Sequence, residues 1–318
     1  MSKKGEDGIL MKVKRTVDFE LLAEEYILIR EAEVSKYTVN SIRRTLNHFL
    51  TSFDDAVTEK SLKLKALQFL SGKNNEHYNK QLQALRGFLQ YCASEGYLEA
   101  NPCAAIKYKP HTNRIVQHGE EVIRKLLDAP DRNTWAGLRD YTAMILTLDT
   151  GIRPNELVQV CIANFDFANG YLYLRESITK TKQKRTLPIS DVCVSAIKKL
   201  IHYRHANWES EFVFCSWRGE EITTGDLRDR FRTYSKAIGT QITPYHLRHT
   251  FALYFLRNSS KTGVFALQKI MGHSKLEQTK NYVALLEADI QQAHQTASPI
   301  ANLFGRGTGK KKAVLMKI

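Results

Sequence analysis

The sequence predicts a mainly α protein with one small antiparallel sheet, divided into an all-helical N-terminal domain and an α+β C-terminal domain. Three observations carry that expectation. Apolar residues recur at spacings of three and four through most of the first hundred residues. A period-two segment with an Asn169-Gly170 turn then interrupts the helical pattern in mid-chain. Between the two lies "EANPCAAIKYKPHTNRIVQHGEE", with two prolines, mixed polar residues and no period, which reads as a linker. At 318 residues and 43% hydrophobic, the chain is long enough for two compact domains, each with its own core.

The elements follow in order. Residues 1–15 form an N-terminal extension. In 16–105, "VDFELLAEEYILIREAE" puts Phe19, Leu22, Tyr26 and Ile29 on one helical face, and "SKYTVNSIRRTLNHFLTSF" repeats the habit behind a Ser35 cap. Two more helices, "TEKSLKLKALQFLSG" and "NEHYNKQLQALRGFLQYCASEGY", close at Gly72 and Gly96. Residues 106–117 are the expected linker. The second domain, 118–297, opens with the helical stretches "EEVIRKLLDA" and "AGLRDYTAMILTLDTGIRPNELVQV". Strands in "NFDFANGYLYLRE" and "RTLPIS" then make a three-stranded sheet, and helices resume to about Ala297. Residues 298–318 form a basic tail that ends in the short apolar run "AVLMKI".

Charge narrows the partners. A formal net charge of +14 favours a polyanion, because fixed Lys and Arg bind nucleic acid or acidic membrane by releasing counterions. The chain has no apolar run of roughly 18 to 20 residues, and "MSKKGEDGILMKVKR" lacks the apolar centre of a signal peptide, so a cytoplasmic protein without a membrane partner is expected. Five scattered cysteines without C-x-x-C spacing argue against disulfides and structural zinc. Up to Pro110 the chain has 17 Lys/Arg against 14 Asp/Glu, so basic character there depends on placement. Arg43, Arg44, Lys63, Lys65, Lys80 and Arg86 are the candidates for phosphate contact, although each could equally be part of a solvated helix face.

Several polar groups in the second domain need explaining. "TGIRPNEL" sets Arg153 at a helix start, with Glu156 three residues on and able to hold its guanidinium. "TKTKQKR" offers Lys180, Lys182, Lys184 and Arg185 at a hairpin tip, within reach of a nucleic-acid backbone. "TPYHLRHTFALYFL" opens a helix after Pro244 with Tyr245 and Arg248 on one face. "KIMGHSKLEQTKNYVAL" holds His273 nine residues before Tyr282. Each motif alone also suits an ion pair, a charge run or a core residue.

Together and in this order, the motifs resemble those of the tyrosine recombinases, or phage integrases, a family that includes Xer-type resolvases and transposon integrases. The resemblance covers about residues 15–297 and implies a core-binding domain followed by a catalytic domain. It assigns Arg153 and Arg248 as the two catalytic arginines, with Glu156 supporting the first. It makes Lys180 the hairpin lysine, His273 a further phosphate ligand and Tyr282 the nucleophile. The implied activity is site-specific cutting and rejoining of double-stranded DNA through a 3′-phosphotyrosyl intermediate, with no metal, ATP or other cofactor. A homotetramer on two synapsed core sites would perform it, with room for accessory DNA-bending proteins and for the tail as an inter-subunit element.

The chemistry suits these residue types. Planar, always-charged guanidinium forks hold a phosphodiester bidentately as charge builds on its nonbridging oxygens. A phenol can attack phosphorus, and an ammonium can protonate the departing 5′-oxygen. One position departs from the pattern: the family keeps histidine three residues before the second arginine, where this chain has Tyr245. His246 and His249 stand nearby but out of register, His246 about 100° round the helix. Tyr245 is therefore expected to donate a hydrogen bond to phosphate, and the identity of any general base stays open. A type IB topoisomerase would share the chemistry and a non-catalytic DNA-binding protein the charge. The first does not need synapsis, and the second has no need of Tyr282.

Overall fold

A computed structural model describes residues 17–52, 59–110, 116, 118–179, 182–259, 263–274 and 276–283. The N-terminal extension, Lys180 and the basic tail lie outside the described residues. The chain separates into two compact units, Met1–Asn113 and Arg114–Ile318.

In the first unit, helices α1 (Phe19–Glu33), α2 (Lys36–Leu50), α3 (Glu59–Leu70) and α4 (Asn75–Ser94) enclose one apolar core. Local chemistry starts each of three of them: Asp18, Ser35 and Asn74 accept backbone N–H bonds from the first turns of α1, α2 and α4. Ile27, Leu46, Phe49, Leu62, Leu85 and Phe88 are fully buried, and each such side chain contributes about 1.5–3 kcal/mol. Ile29, expected on the buried face of α1, is instead 43% exposed, and Ile27 takes the inner position.

The segment after α4 is less free than its composition suggests. Arg86 donates to the carbonyls of Cys103, Ala104 and Ile106. The Asn79 amide closes a two-way bond with the backbone of Lys109, both arms 2.8 Å. Residues 101–110 therefore lie along α4, and the stretch expected to be linker from residue 106 is anchored as far as Pro110. Arg86 is accordingly corrected from a phosphate-contact candidate to a brace within the domain, its Nε and Nη2 already used on the backbone. Lys65 is also corrected, because it is only 8% exposed. Arg43 pairs with Glu24 and Glu31, and Lys80 with Glu76, while Arg44 and Lys63 are exposed.

The second unit begins with α5 (Glu120–Asp128) and α6 (Trp135–Thr150). The helical stretch to Val160 divides at Gly151, whose left-handed φ of 62° ends α6, and a short α7 (Pro154–Leu157) begins at the helix start expected beside Arg153. Strands β1 (Phe165–Asp166), β2 (Tyr171–Leu174) and β3 (Arg185–Pro188) form an antiparallel sheet in the order β1-β2-β3. Its register pairs Leu172 with Leu187 and Leu174 with Arg185. Leu172, Leu174 and Leu187 face the core, whereas Tyr171 and Tyr173 face out. Helices α8 (Asp191–His202), α9 (Thr224–Ile238), α10 (Pro244–Asn258), α11 (Gly263–Met271) and α12 (Leu276–Val283) complete the described part. Two bridges, Cys161 with Phe212 and Cys215 with Glu221, order the loop between α8 and α9 and have no clear alternating signal in the sequence. Among the described residues no helix is long and apolar enough to cross a membrane.

Candidate active site

Two glycine turns build the site. Gly272, at φ 62°, terminates α11, and the His273 N–H returns to the Gln268 carbonyl, a Schellman closure. That turn leaves the carbonyls of Met271 and Gly272 facing inward, where they gather three guanidinium groups. Arg153 donates to the Gly272 carbonyl at 2.8 Å, while Arg185 and Arg248 donate to that of Met271 at 3.2 and 2.8 Å. Arg248 donates also to the Gly151 carbonyl at the end of α6, so one side chain joins both turns. A Cβ at position 272 would stand 2.3 Å from Arg185 Nη1 and 3.3 Å from Arg153 Nη1. Only glycine fits so close to the cluster.

Glu156 sits beneath these cations with 1% of its side chain exposed. One oxygen accepts from Arg153 Nη1 at 2.9 Å; the other accepts from the Arg153 backbone N–H at 3.0 Å and from Arg185 Nη2 at 2.5 Å. The sequence foreshadows the first contact through the three-residue step from Arg153, but not the second. Arg185 is therefore corrected. It opens β3 rather than standing at the hairpin tip, it is 9% exposed, and its Nε has no hydrogen-bond partner among the described residues. Burial lowers its pKa against the Glu156 charge. Arg248, 4% exposed, is pulled down to about 9, first by burial and then by Arg153, and stays charged at neutral pH. A cluster with this excess of positive charge and one carboxylate is built to receive an anion.

His273 and Tyr282 meet in the same place. The turn after α11 feeds α12, whose Thr279 and Tyr282 lie three apart on one face and are both buried. Thr279 Oγ1 lies 2.9 Å from His273 Nδ1 and fixes that ring, which stacks parallel to Tyr282 at 6.3 Å between centroids. Burial, then the charges of Arg248, Arg153 and Arg185, bring His273 down to about 4, so it is neutral at pH 7. Tyr282 is 5% exposed; burial pushes its phenol up, and Arg248 and Arg153 oppose this.

The Tyr282 hydroxyl is 2.8 Å from His249 Nδ1, a partner that sequence reading set aside as out of register. His249 lies four residues after Tyr245 on α10, one turn on and on nearly the same face. That i,i+4 step was the signal available. Burial, followed by His246 and Arg248, brings His249 down to about 4. Tyr245 itself is 53% exposed, and His246 turns to His118, with Nδ1 3.1 Å from His118 Nε2. Burial lowers the pKa of both members of that pair.

Arg153, Glu156, Arg248, His273 and Tyr282 thus converge, and Arg185, His249 and Thr279 join them. Lys180, proposed from the hairpin motif, lies outside the described residues. Lys182 and Lys184 are exposed, and the Gln183 backbone bonds the Thr179 hydroxyl through both its N–H and its carbonyl. A cavity of about 740 Å³ opens between β3 and α11, lined by Lys184, Arg185, Lys269, Gly272 and His273.

Known proteins extend this picture. Tyrosine recombinase XerC of Oceanobacillus iheyensis is 25% identical over 296 residues, covering 87% of this chain and 95% of its own length. Tyrosine recombinase XerD of Pseudomonas aeruginosa is 27% identical over 228 residues, or 69% of this chain and 74% of its own. Among solved structures, the Tn1549 transposon integrase in complex with a circular intermediate DNA has the same fold (TM-score 0.70, 19% identity, 86% of this chain and 98% of that one). So does a lambda integrase dimer bound to a COC' core site (TM-score 0.69, 19% identity, 85% and 78%). A match to the phage integrase family spans residues 119–289, more than half of the chain and every element that brings Arg153 to Tyr282, and on that ground the chain belongs to this family of tyrosine recombinases.

Proposed function

We propose that this protein is a site-specific DNA recombinase in which Tyr282 attacks the scissile phosphate while Arg153 and Arg248 hold it. The observation that carries the reading is a buried tyrosine stacked on a neutral histidine and close enough to a cluster of guanidinium groups to feel the charges of Arg248 and Arg153. An entering phosphodiester exchanges the backbone carbonyls for its own oxygens as partners of the guanidinium N–H groups. It gains charge-assisted bonds in a site of low dielectric. His273, its Nδ1 engaged by Thr279, donates through Nε2 to a nonbridging oxygen.

The phenolic oxygen forms the P–O bond as the bond to the 5′-oxygen breaks, leaving a 3′-phosphotyrosyl ester. Lys180 protonates the leaving oxygen. The ester keeps the bond energy, so the 5′-hydroxyl of a partner strand reverses the step without ATP, and the residues that hold the phosphate call for no metal. Arg43, Arg44, Lys63, Lys80, Lys182 and Lys184 contact the DNA backbone around the site. A homotetramer on two synapsed core sites carries out exchange; support for that assembly comes from a structural neighbour, a lambda integrase tetramer bound to a Holliday junction.

The test is a plasmid carrying two copies of the site that the full chain selects from random-sequence DNA. Exchange that requires both copies, proceeds in EDTA and changes the connectivity of the plasmid is the expected result. Relaxation of supercoils with one copy or none, and no exchange, would indicate a topoisomerase instead.

A further inference from the structure

Tyr282 must lose a proton as it attacks, and the family's histidine position is filled here by a tyrosine. We propose that His249 takes that proton, so that the base of this enzyme lies one helical turn beyond the family's usual place. The inference rests on the recombinase reading above. Three observations carry it. His249 Nδ1 is 2.8 Å from the Tyr282 hydroxyl, within the range of a direct transfer. Of the other imidazoles, His246 is turned to His118 and occupied there, and His273 has its Nδ1 on Thr279. Tyr245 is 53% exposed and has a phenol in place of an imidazole.

The surroundings keep His249 ready to accept. Among the described residues, Arg248 and His246 on its own helix, Tyr282 on α12 and His273 on the turn before it are the charged and titratable groups around the ring, and burial with the nearby positive charge holds it unprotonated at pH 7. In the tautomer that carries its hydrogen on Nε2, the neutral ring accepts the phenolic hydrogen at Nδ1. When DNA binds, the phosphodiester brings negative charge against Arg153 and Arg248, and the imidazolium formed during attack is offset by it.

The step balances. The Tyr282 O–H bond breaks and its proton moves to His249 Nδ1, the O–P bond forms, and the P–O5′ bond breaks with its electron pair on the 5′-oxygen. A separate acid, Lys180 in the proposed mechanism, protonates that oxygen. In the rejoining step His249 returns its proton to the departing phenolate. The same residue therefore serves both directions.

The experiment compares full-length wild type, His249→Asn and His249→Ala. The probe is a nicked suicide duplex bearing the site selected from random-sequence DNA, followed in single turnover from pH 3.5 to 8, a range that brackets the His249 pKa of about 4. Asn keeps an oxygen that can accept the Tyr282 hydrogen bond but cannot take the proton. Both variants should bind DNA as wild type does and form adduct about 100-fold or more slowly at pH 7. The fall in wild-type rate on acidification should be absent in His249→Asn. An Asn variant within threefold of wild type, with the acid limb intact, would reduce His249 to a hydrogen-bonding neighbour and overturn the proposal. Loss of DNA affinity in step with rate would do the same by making it a packing residue. If wild type itself forms no adduct, the recombinase reading fails instead, so the two failures are distinguishable.

Discussion

Arg185 and Arg248 direct their guanidinium groups at one oxygen, the carbonyl of Met271, at 3.2 and 2.8 Å. Arg153, Arg185 and Arg248 meet there with Glu156 as the one carboxylate among the described contacts, so the cluster keeps a net positive charge and an oxyanion is a better partner than the carbonyl. Orthovanadate or sulfate should therefore bind the free protein and raise its melting temperature, by about 2.7 kcal/mol of added stability at a hundredfold excess over Kd. Thermal unfolding measured with and without the anion checks this, and Arg248→Gln should cancel most of the shift. An equal shift in the variant would place the anion elsewhere.

Glu156 is the counter-charge for this cluster, holding Arg153 and Arg185 from a fully buried position. Glu156→Gln keeps the volume and removes the charge, so two guanidinium groups lose their only carboxylate among the contacts described. The expected cost is about 3–5 kcal/mol, the range for breaking a buried pair from one side. Urea unfolding should show it as a lower midpoint with an unchanged slope.

The α10 helix separates two neighbours that the sequence left ambiguous. If the exposed Tyr245 hydroxyl donates to a bound phosphate, Tyr245→Phe should slow cleavage by the loss of one hydrogen bond to a charged group, about 1.5–3 kcal/mol or roughly 10- to 150-fold. His246→Ala removes the contact with His118 and a hydrogen bond to the Gln241 backbone, neither of them at Tyr282, and should cost less than threefold. Single-turnover rates of the two variants decide, and a crippled His246→Ala with a normal Tyr245→Phe would reverse the assignment.

Acid should destabilise the second unit in a defined window. His249 and His273 both titrate near 4 when folded, whereas an unfolded histidine titrates near 6.5. Between those values the unfolded chain binds more protons, so stability rises with pH there and is lost as pH falls from about 6.5 towards 4. Chemical denaturation at several pH values should show that slope, and His249→Asn should make it shallower.

Much of this was legible in the sequence because it is local. The four N-terminal helices follow from period and caps, the sheet from the Asn169-Gly170 turn and alternation, and Arg153 with Glu156 from a three-residue step. What escaped depends on tertiary meeting. Arg185 looked like one more cation in a basic run until β3 carried it under Met271. His249 was discounted by comparing it with a histidine motif rather than with the helix turn it shares with Tyr245. Arg86 carries a charge that suits DNA, but its bonds go to three carbonyls 17 to 20 residues away in the chain, and no spacing rule reveals such contacts.

The central claim is that Tyr282 is the nucleophile. Its hydroxyl contacts His249 and its ring runs parallel to that of His273, so Tyr282→Phe removes one oxygen and little packing. The decisive measurement is covalent capture on the nicked suicide duplex by denaturing gel, followed by mass spectrometry of the trapped peptide. Wild type should give an SDS-resistant adduct with the DNA 3′-phosphate on Tyr282, and Tyr282→Phe should bind the duplex equally well and give none. An adduct that persists in the Phe variant, or one mapped to any other residue, would contradict the account.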